Sequence, residues 1–225
     1  SSFPMIVTID GPAGAGKSSA SRRLAQRLGF HFLDTGAMYR AVALAALRRG
    51  HDWQQPERLV ELARSLRIEP IDSGIMLDGE DVTRAVRSQA VTSVTYHAAN
   101  HPQVREHLVQ VQRQFAAGND IVTEGRDQGS LVFPHAECKI FLTATPEERA
   151  RRRMLDLQAR GEQVNFDEVL AKQNARDESD RSREVGPLVP AIDAVDFCTD
   201  GLSIDEVIAR LESLARARFS STAST

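Results

Sequence analysis

Short apolar runs alternate with amphipathic stretches along this chain. Residues 5–9 (MIVTI) are apolar and β-branched, which predicts a buried parallel strand. They run into GPAGAGKSS and then a helical pattern. Ala20, Leu24 and Leu28 recur four apart, Arg22, Arg23, Gln26 and Arg27 face elsewhere, and Gly29 is the stop. Residues 30–33 predict a second strand. Helices follow over 37–49, closed by Gly50, and 57–66, opened by Pro56. The character changes over 67–82. Two short strands, 67–71 and 75–77, precede the tight-turn pair Asp78-Gly79, so this stretch reads as a small antiparallel patch inserted between helices. Helical patterns resume over 83–99 and 102–117. Strands are expected at 121–123, 139–143 and 195–198. Thr145-Pro146-Glu147-Glu148 opens a helix with a cap, a proline and two acids. A charged helical stretch spans 166–184 and a last helix 203–219, and the tail SSTAST is expected to be disordered. Strands alternating with helices predict an α/β fold, a parallel sheet covered on both faces.

Composition narrows the class. With 225 residues, 41% of them apolar and 26% charged, one globular α/β domain with an inserted lobe fits and general disorder does not. A net charge of -3 argues against coating nucleic acid. No apolar run approaches the ~20 residues of a membrane span. The stretch SSFPMIVTID lacks the charged-then-apolar order of a signal peptide. Cys138 and Cys198 alone cannot build a disulfide framework and fit a reducing cytoplasm. Only Lys17, Lys139 and Lys172 among the 28 basic residues are lysine. Codon usage explains that skew, as would a site gripping phosphates through bidentate guanidinium groups; position decides between them.

Gly11-Pro12-Ala13-Gly14-Ala15-Gly16-Lys17-Ser18 matches G-x-x-x-x-G-K-[ST] between a strand and a helix. Chance yields such a match in a chain this long about once in a hundred. The glycines let backbone N–H groups converge, the helix N-terminus adds positive charge, Lys17 reaches the β- and γ-phosphates, and the Ser18 hydroxyl can ligate Mg²⁺. The motif announces a nucleoside triphosphate and leaves the acceptor open. Three further clusters bear on it: Asp34-Thr35-Gly36-Ala37-Met38-Tyr39-Arg40 and Gly125-Arg126-Asp127, each at a strand's carboxyl end where ligands bind, and the segment RDESDRSR. In the last, Arg176, Asp180 and Arg183 fall at i, i+4 and i+7, on one helical face. Two polyphosphates meeting head to tail need such dense positive charge.

IDGPAGAGKSS, LDTGAMYR, EGRDQG, VFP with KIFLTA, RDESDRSR and PLVPA occur in one colinear order that resembles the bacterial cytidylate kinase family, over residues 5–218. The resemblance implies a P-loop NTPase-type sheet with an inserted monophosphate-binding lobe and a helical lid. Its core is expected at 5–35, 118–160 and 187–219, its lobe at 36–117 with the β insert at 67–82, and its lid at 161–186. It implies transfer of the γ-phosphate of ATP to CMP or dCMP, with Mg²⁺, by a cytoplasmic monomer without nucleic-acid or membrane partners. ATP would be held by Gly11, Pro12, Ala13, Gly14, Ala15, Gly16, Lys17, Ser18 and Ser19, with Arg149 and Arg153 clasping donor phosphates or adenine. Arg40, Arg126 and Arg183 would hold the acceptor phosphate, Arg176 and Asp180 the ribose, and Arg105 and Asp127 the cytosine, with Thr35 also on the CMP side. Lys17, Arg126, Arg176 and Arg183 are the expected catalytic set. A carboxylate at Asp127 accepts from the exocyclic amine of cytosine, where uracil presents a carbonyl. Tyr96 stands where the family pattern has a base-contacting Ser. Thr95 could substitute, or Tyr96 could supply a hydroxyl or stack. Ser179 replaces an arginine found in relatives. The alternatives are a nucleotide switch, which has no use for the arginines, and an adenylate or shikimate kinase.

Overall fold

The computed structural model describes residues 4–222. Ile6–Asp10 (β1), His31–Asp34 (β2), Ile121–Gly125 (β6), Cys138–Thr143 (β7) and Val195–Cys198 (β8) form one sheet in the order β2-β6-β1-β7-β8. All four pairings are parallel. The central strands have no face for water: every residue of β6 is buried, as are Val7 to Asp10 of β1. That is why these segments read as continuous apolar runs rather than alternating ones. From β1 the chain first builds to one side and then to the other, so the sheet's switch point lies at the carboxyl end of β1. Register brings Asp10 beside Gly125, and Asp34 beside Glu124.

Lys17–Leu28 (α1) and Ile204–Thr222 (α8) cover one face, where Leu24, Val207 and Leu211 pack on Val7, Ile9 and Ile140. Thr35–Arg48 (α2), Pro56–Ser65 (α3), Gln89–Ala99 (α4) and Pro102–Ala116 (α5) cover the other, around Met38, Val42, Leu59 and Leu108. Pro146–Ala159 (α6) and Phe166–Arg181 (α7) pack against each other beyond the carboxyl edge of β7. The insert is an antiparallel three-stranded sheet of Ile68–Ile71 (β3), Gly74–Leu77 (β4) and Glu80–Asp81 (β5).

The structure corrects several expectations. The pattern over 83–99 breaks, with a 3₁₀ turn at Ala85–Arg87 followed by Ser88 in extended conformation, whose hydroxyl caps α4 at Val91 N. Residues 128–132 form a π-turn that periodicity did not reveal. Helix α7 stops at Arg181, so Arg183 lies just past it. Helix α8 runs through Thr222, so the first half of the supposedly disordered tail is helical. The rest of that tail, and Ser1 to Phe3 of the stretch weighed as a signal peptide, lie outside the described residues. Among the described residues both cysteines are free and no helix is long and apolar enough to cross a membrane.

Candidate active site

The Gly-rich loop joins β1 to α1, and two of its glycines have no substitute. Gly11 has φ 148°, and a side chain there would run into the Leu142 carbonyl of β7. Gly16, at φ 90°, is the N-cap of α1 and offers no side-chain cap, and no acid sits in the first helical turn. The N–H groups and partial positive charge of that helix end therefore stay available to an anion. Lys17 is only 5% exposed and donates to the Pro12 carbonyl at 2.8 Å. Burial, reinforced by the positive charge of Arg126, brings its ammonium down to about 7, against the pull of Glu124.

Two buried carboxylates stand behind the loop. Asp10 accepts from the backbone N–H groups of Gln128 and Gly129 at 2.9 and 2.8 Å, which fixes the π-turn after β6. Burial lifts it to about 6 despite those bonds. Glu124 is lifted to about 7 by burial and then by Asp34, while Lys17 and the Ser18 hydroxyl pull the other way. Its Oε1 is buried without a hydrogen-bond partner. Thr35 donates its hydroxyl to the Glu124 carbonyl at 2.7 Å, so its oxygen remains free only to accept.

On the far side of the cleft the arginines converge. Arg126 Nε donates to Asp180 Oδ2 at 2.8 Å, and Arg183 Nη2 takes the other oxygen of the same carboxylate. Arg183 Nε also donates to Asn100 Oδ1 at 2.8 Å, at the end of α4. Arg40 reaches Thr92 Oγ1 of that helix at 3.1 Å. Arg176 is open to water inside the cleft, yet the surrounding protein costs its charge enough solvation, with Arg126 adding repulsion, to bring it down to about 10. Burial alone would raise Asp180, but Arg126 and Arg183 outweigh it and hold the carboxyl below its usual range. Thr92, Tyr96 and Asn100 are spaced by four on one face of α4. Tyr96, between the two partners of the arginines, is 55% exposed, with its ring 4.0 Å from that of His97, which stacks on Trp53. The Thr95 hydroxyl is spent on the Val91 carbonyl.

Arg105 and Asp127 form a buried ion pair, 3% and 5% exposed. Arg105 also donates to the Ala99 carbonyl at 2.9 Å and lies 5.1 Å over the Tyr39 ring. The expectation that Arg149 clasps the donor nucleotide meets a different arrangement. Arg149 is 2% exposed and donates to Ala144 O at 3.1 Å, Ala13 O at 2.9 Å and Asp177 Oδ2 at 2.7 Å. It braces the phosphate loop against α7, with three of its five N–H groups bonded to protein. Arg153, one turn on, is exposed and near enough to Arg40 to lower it.

Sequence reasoning passed over Asp10, Glu124, Asp177, Thr92 and Asn100. Asp10 and Glu124 carried a signal, each being an acid at the carboxyl end of a buried strand, and Asp177 stands inside RDESDRSR without an assigned role; Thr92 and Asn100 carried none.

The family model described as cytidylate kinase matches residues 7–217. A protein named cytidylate kinase from Rhodopirellula baltica is 54% identical over 203 residues, which cover 90% of this chain and 89% of that one. One of the same name from Vibrio cholerae is 47% identical over 212 residues, 92% and 94% of the two chains. Among solved structures, an uncharacterized protein from Eubacterium ventriosum shares the fold with a TM-score of 0.52 at 11% identity, over 95% of this chain and 98% of its own.

Proposed function

The chain belongs to the cytidylate kinase family and transfers the γ-phosphate of ATP to CMP, and from that premise we propose how its residues divide the reaction and that dCMP is accepted as well. The observation that supports this division most is the meeting of Arg40, Arg126 and Arg183 around Arg176, with Arg126 and Arg176 within electrostatic reach of Lys17. A nucleotide switch needs no second cluster of this kind.

The loop from Gly11 to Ser19 takes the ATP phosphates on its N–H groups and on Lys17. Arg40, Arg126 and Arg183 take the acceptor phosphate, and Arg176 and Asp180 the ribose. Asp127 and Arg105 read the pyrimidine, the carboxylate accepting from the cytosine amine and the guanidinium donating to its acceptors. Thr35 contributes an accepting oxygen. Tyr96 faces the same cleft with an open ring suited to stack on the base. Arg153 meets the donor, and Arg149 holds the loop rather than the nucleotide.

The acceptor's second phosphate pKa is near ~6, so its attacking oxygen is ionised at neutrality and no general base is required. Rate then comes from alignment and from guanidinium and ammonium groups at the oxygens where charge gathers. Mg²⁺ fits the oxygen donors beside the loop. Ser18 would hold it, with the unpartnered Glu124 oxygen behind that hydroxyl. When bound with ATP, the ion neutralises phosphate charge. Among the described residues no cluster of three His, Cys, Asp or Glu could hold a metal alone. Residues 161–186 act as a lid that excludes water. A cytoplasmic monomer is part of the same proposal, carried over from the family resemblance. A coupled ADP-release assay over CMP, dCMP, UMP and AMP tests the base assignment. Strong preference for the two cytosine nucleotides supports it, and equal turnover of all four ends it.

A further inference from the structure

The return of the chain after α7 lies directly on the groups assigned to the base. Gly186 is buried, with φ 65°, in the left-handed region where L side chains are strained. A methyl group built on it would overlap Asp127 Oδ2 and Arg105 Nη2 and stand 2.9 Å from Arg105 Cζ. Neither partner has an easy retreat. Arg105 is held by the Ala99 carbonyl and lies over the Tyr39 ring, and the Asp127 carbonyl is fixed by Leu131 and Val132 N–H groups at 2.9 and 3.1 Å. Moving either side chain breaks a buried ion pair. The return segment is fixed as well, by Arg183 on Asp180 and Asn100 and by Leu188 N on the Asp180 carbonyl at 2.8 Å.

We propose that Gly186 is a specificity-determining position: its bare backbone is the wall that seats the Asp127–Arg105 pair, and any side chain there unseats the two groups that select the pyrimidine. The inference rests on the base-reading role given to that pair above. It makes one end of the lid part of the acceptor pocket. Base selection and lid position are then set by the same short segment.

Gly161, at the other end of the lid, supplies the control. It has a similar left-handed backbone, φ 82°, with nothing within 4 Å of an added methyl. Gly161→Ala therefore carries the backbone strain without the contact. Steady-state kinetics with CMP and UMP are measured for Gly186→Ala, Gly161→Ala and Asp127→Ala. Gly186→Ala is expected to raise KM for CMP at least tenfold and lower the CMP-to-UMP ratio of kcat/KM at least tenfold, with KM for ATP within threefold. Gly161→Ala is expected to keep that ratio within threefold. A ratio in Gly186→Ala no different from that in Gly161→Ala overturns the proposal. If Asp127→Ala leaves the ratio intact, the base assignment fails and this inference fails with it. If Asp127→Ala collapses the ratio and Gly186→Ala does not, only the role of Gly186 is lost. Should Gly186→Ala not fold, it is remade in Asp127→Ala and Arg105→Ala backgrounds. Because each background breaks a buried pair by itself, each double variant is compared with the same background carrying Gly186: equal yield and Tm in either background supports the contact, and a further loss in both refutes it.

Discussion

Arg149 separates two readings of the donor side. As a clasp on ATP, its loss would weaken nucleotide binding and leave the fold alone. As a strut, its loss breaks a pair in which both side chains are 3% exposed. Arg149→Met removes three hydrogen bonds and leaves Asp177, whose Oδ1 already lacks a partner, as an isolated buried carboxylate. Removing one partner of a buried pair costs about 3–5 kcal/mol. At about 2–4 °C per kcal/mol for a chain of this size, Tm falls by about 6–20 °C. KM for ATP should rise too, because the Ala13 carbonyl of the phosphate loop loses its anchor. Two further proteins complete the set. Arg149→Met with Asp177→Leu removes both charges and should regain most of the lost stability. Arg153→Ala alters an exposed side chain and should stay within about 0.5 kcal/mol of the parent. Calorimetry and urea unfolding read the stability, and coupled kinetics read KM. An Arg149→Met protein with unchanged Tm and a raised KM for ATP would refute the strut and restore the clasp.

Other expectations follow from the same geometry. Lys17→Ala should lose about 10²–10³-fold in kcat, the usual effect of deleting one preorganised charge donor, measured by ADP release at saturating CMP; a loss under tenfold would remove Lys17 from the catalytic set. Because burial lowers the ammonium of Lys17 and the triphosphate favours its charged form, ATP binding at pH 7 should take up more protons in the parent than in Lys17→Ala. Calorimetry in two buffers of different ionisation enthalpy reads the difference, and equal proton exchange by the two proteins contradicts it. Asp127→Asn should cut the CMP-to-UMP preference by about 1–3 kcal/mol, since an amide can offer a donor to the uracil carbonyl; unchanged selectivity would take the base away from Asp127.

What sequence alone could reveal was what a short window encodes. The strand–glycine loop–helix unit, the DTGAMYR and GRD segments at strand ends, and the spacing of Arg176 and Asp180 were legible because their signal is local. The partners were not. Arg149 meets Asp177 across 28 residues and Arg126 meets Asp180 across 54, separations that leave no period in the chain. The π-turn at 128–132 is held by Asp10, 118 residues earlier, so its own composition could not announce it. The break before α4 was missed because Ser88 sits in an otherwise helical pattern, and only its extended backbone distinguishes a cap from an interior residue. Position accounts for part of the arginine excess only: Arg126, Arg176 and Arg183 gather at one carboxylate, while most of the other arginines are exposed and codon usage suffices for them.

That carboxylate also shows how a nearly neutral protein can carry so positive a site. Arg176, at about 10, keeps its charge at neutral pH, and Arg126 and Arg183 stand beside it, so repulsion among the three is built in. Asp180 offsets it by giving one oxygen to Arg126 and the other to Arg183. What takes these guanidinium groups from Asp180 must offer at least as much negative charge in a forked geometry. A phosphate dianion does, through its several oxygens. Water does not, because a neutral molecule cannot replace a carboxylate between two guanidinium groups without leaving their charges unopposed. With the roles proposed above, the same pairing therefore discriminates, on charge alone, between the acceptor phosphate and water as a replacement for Asp180.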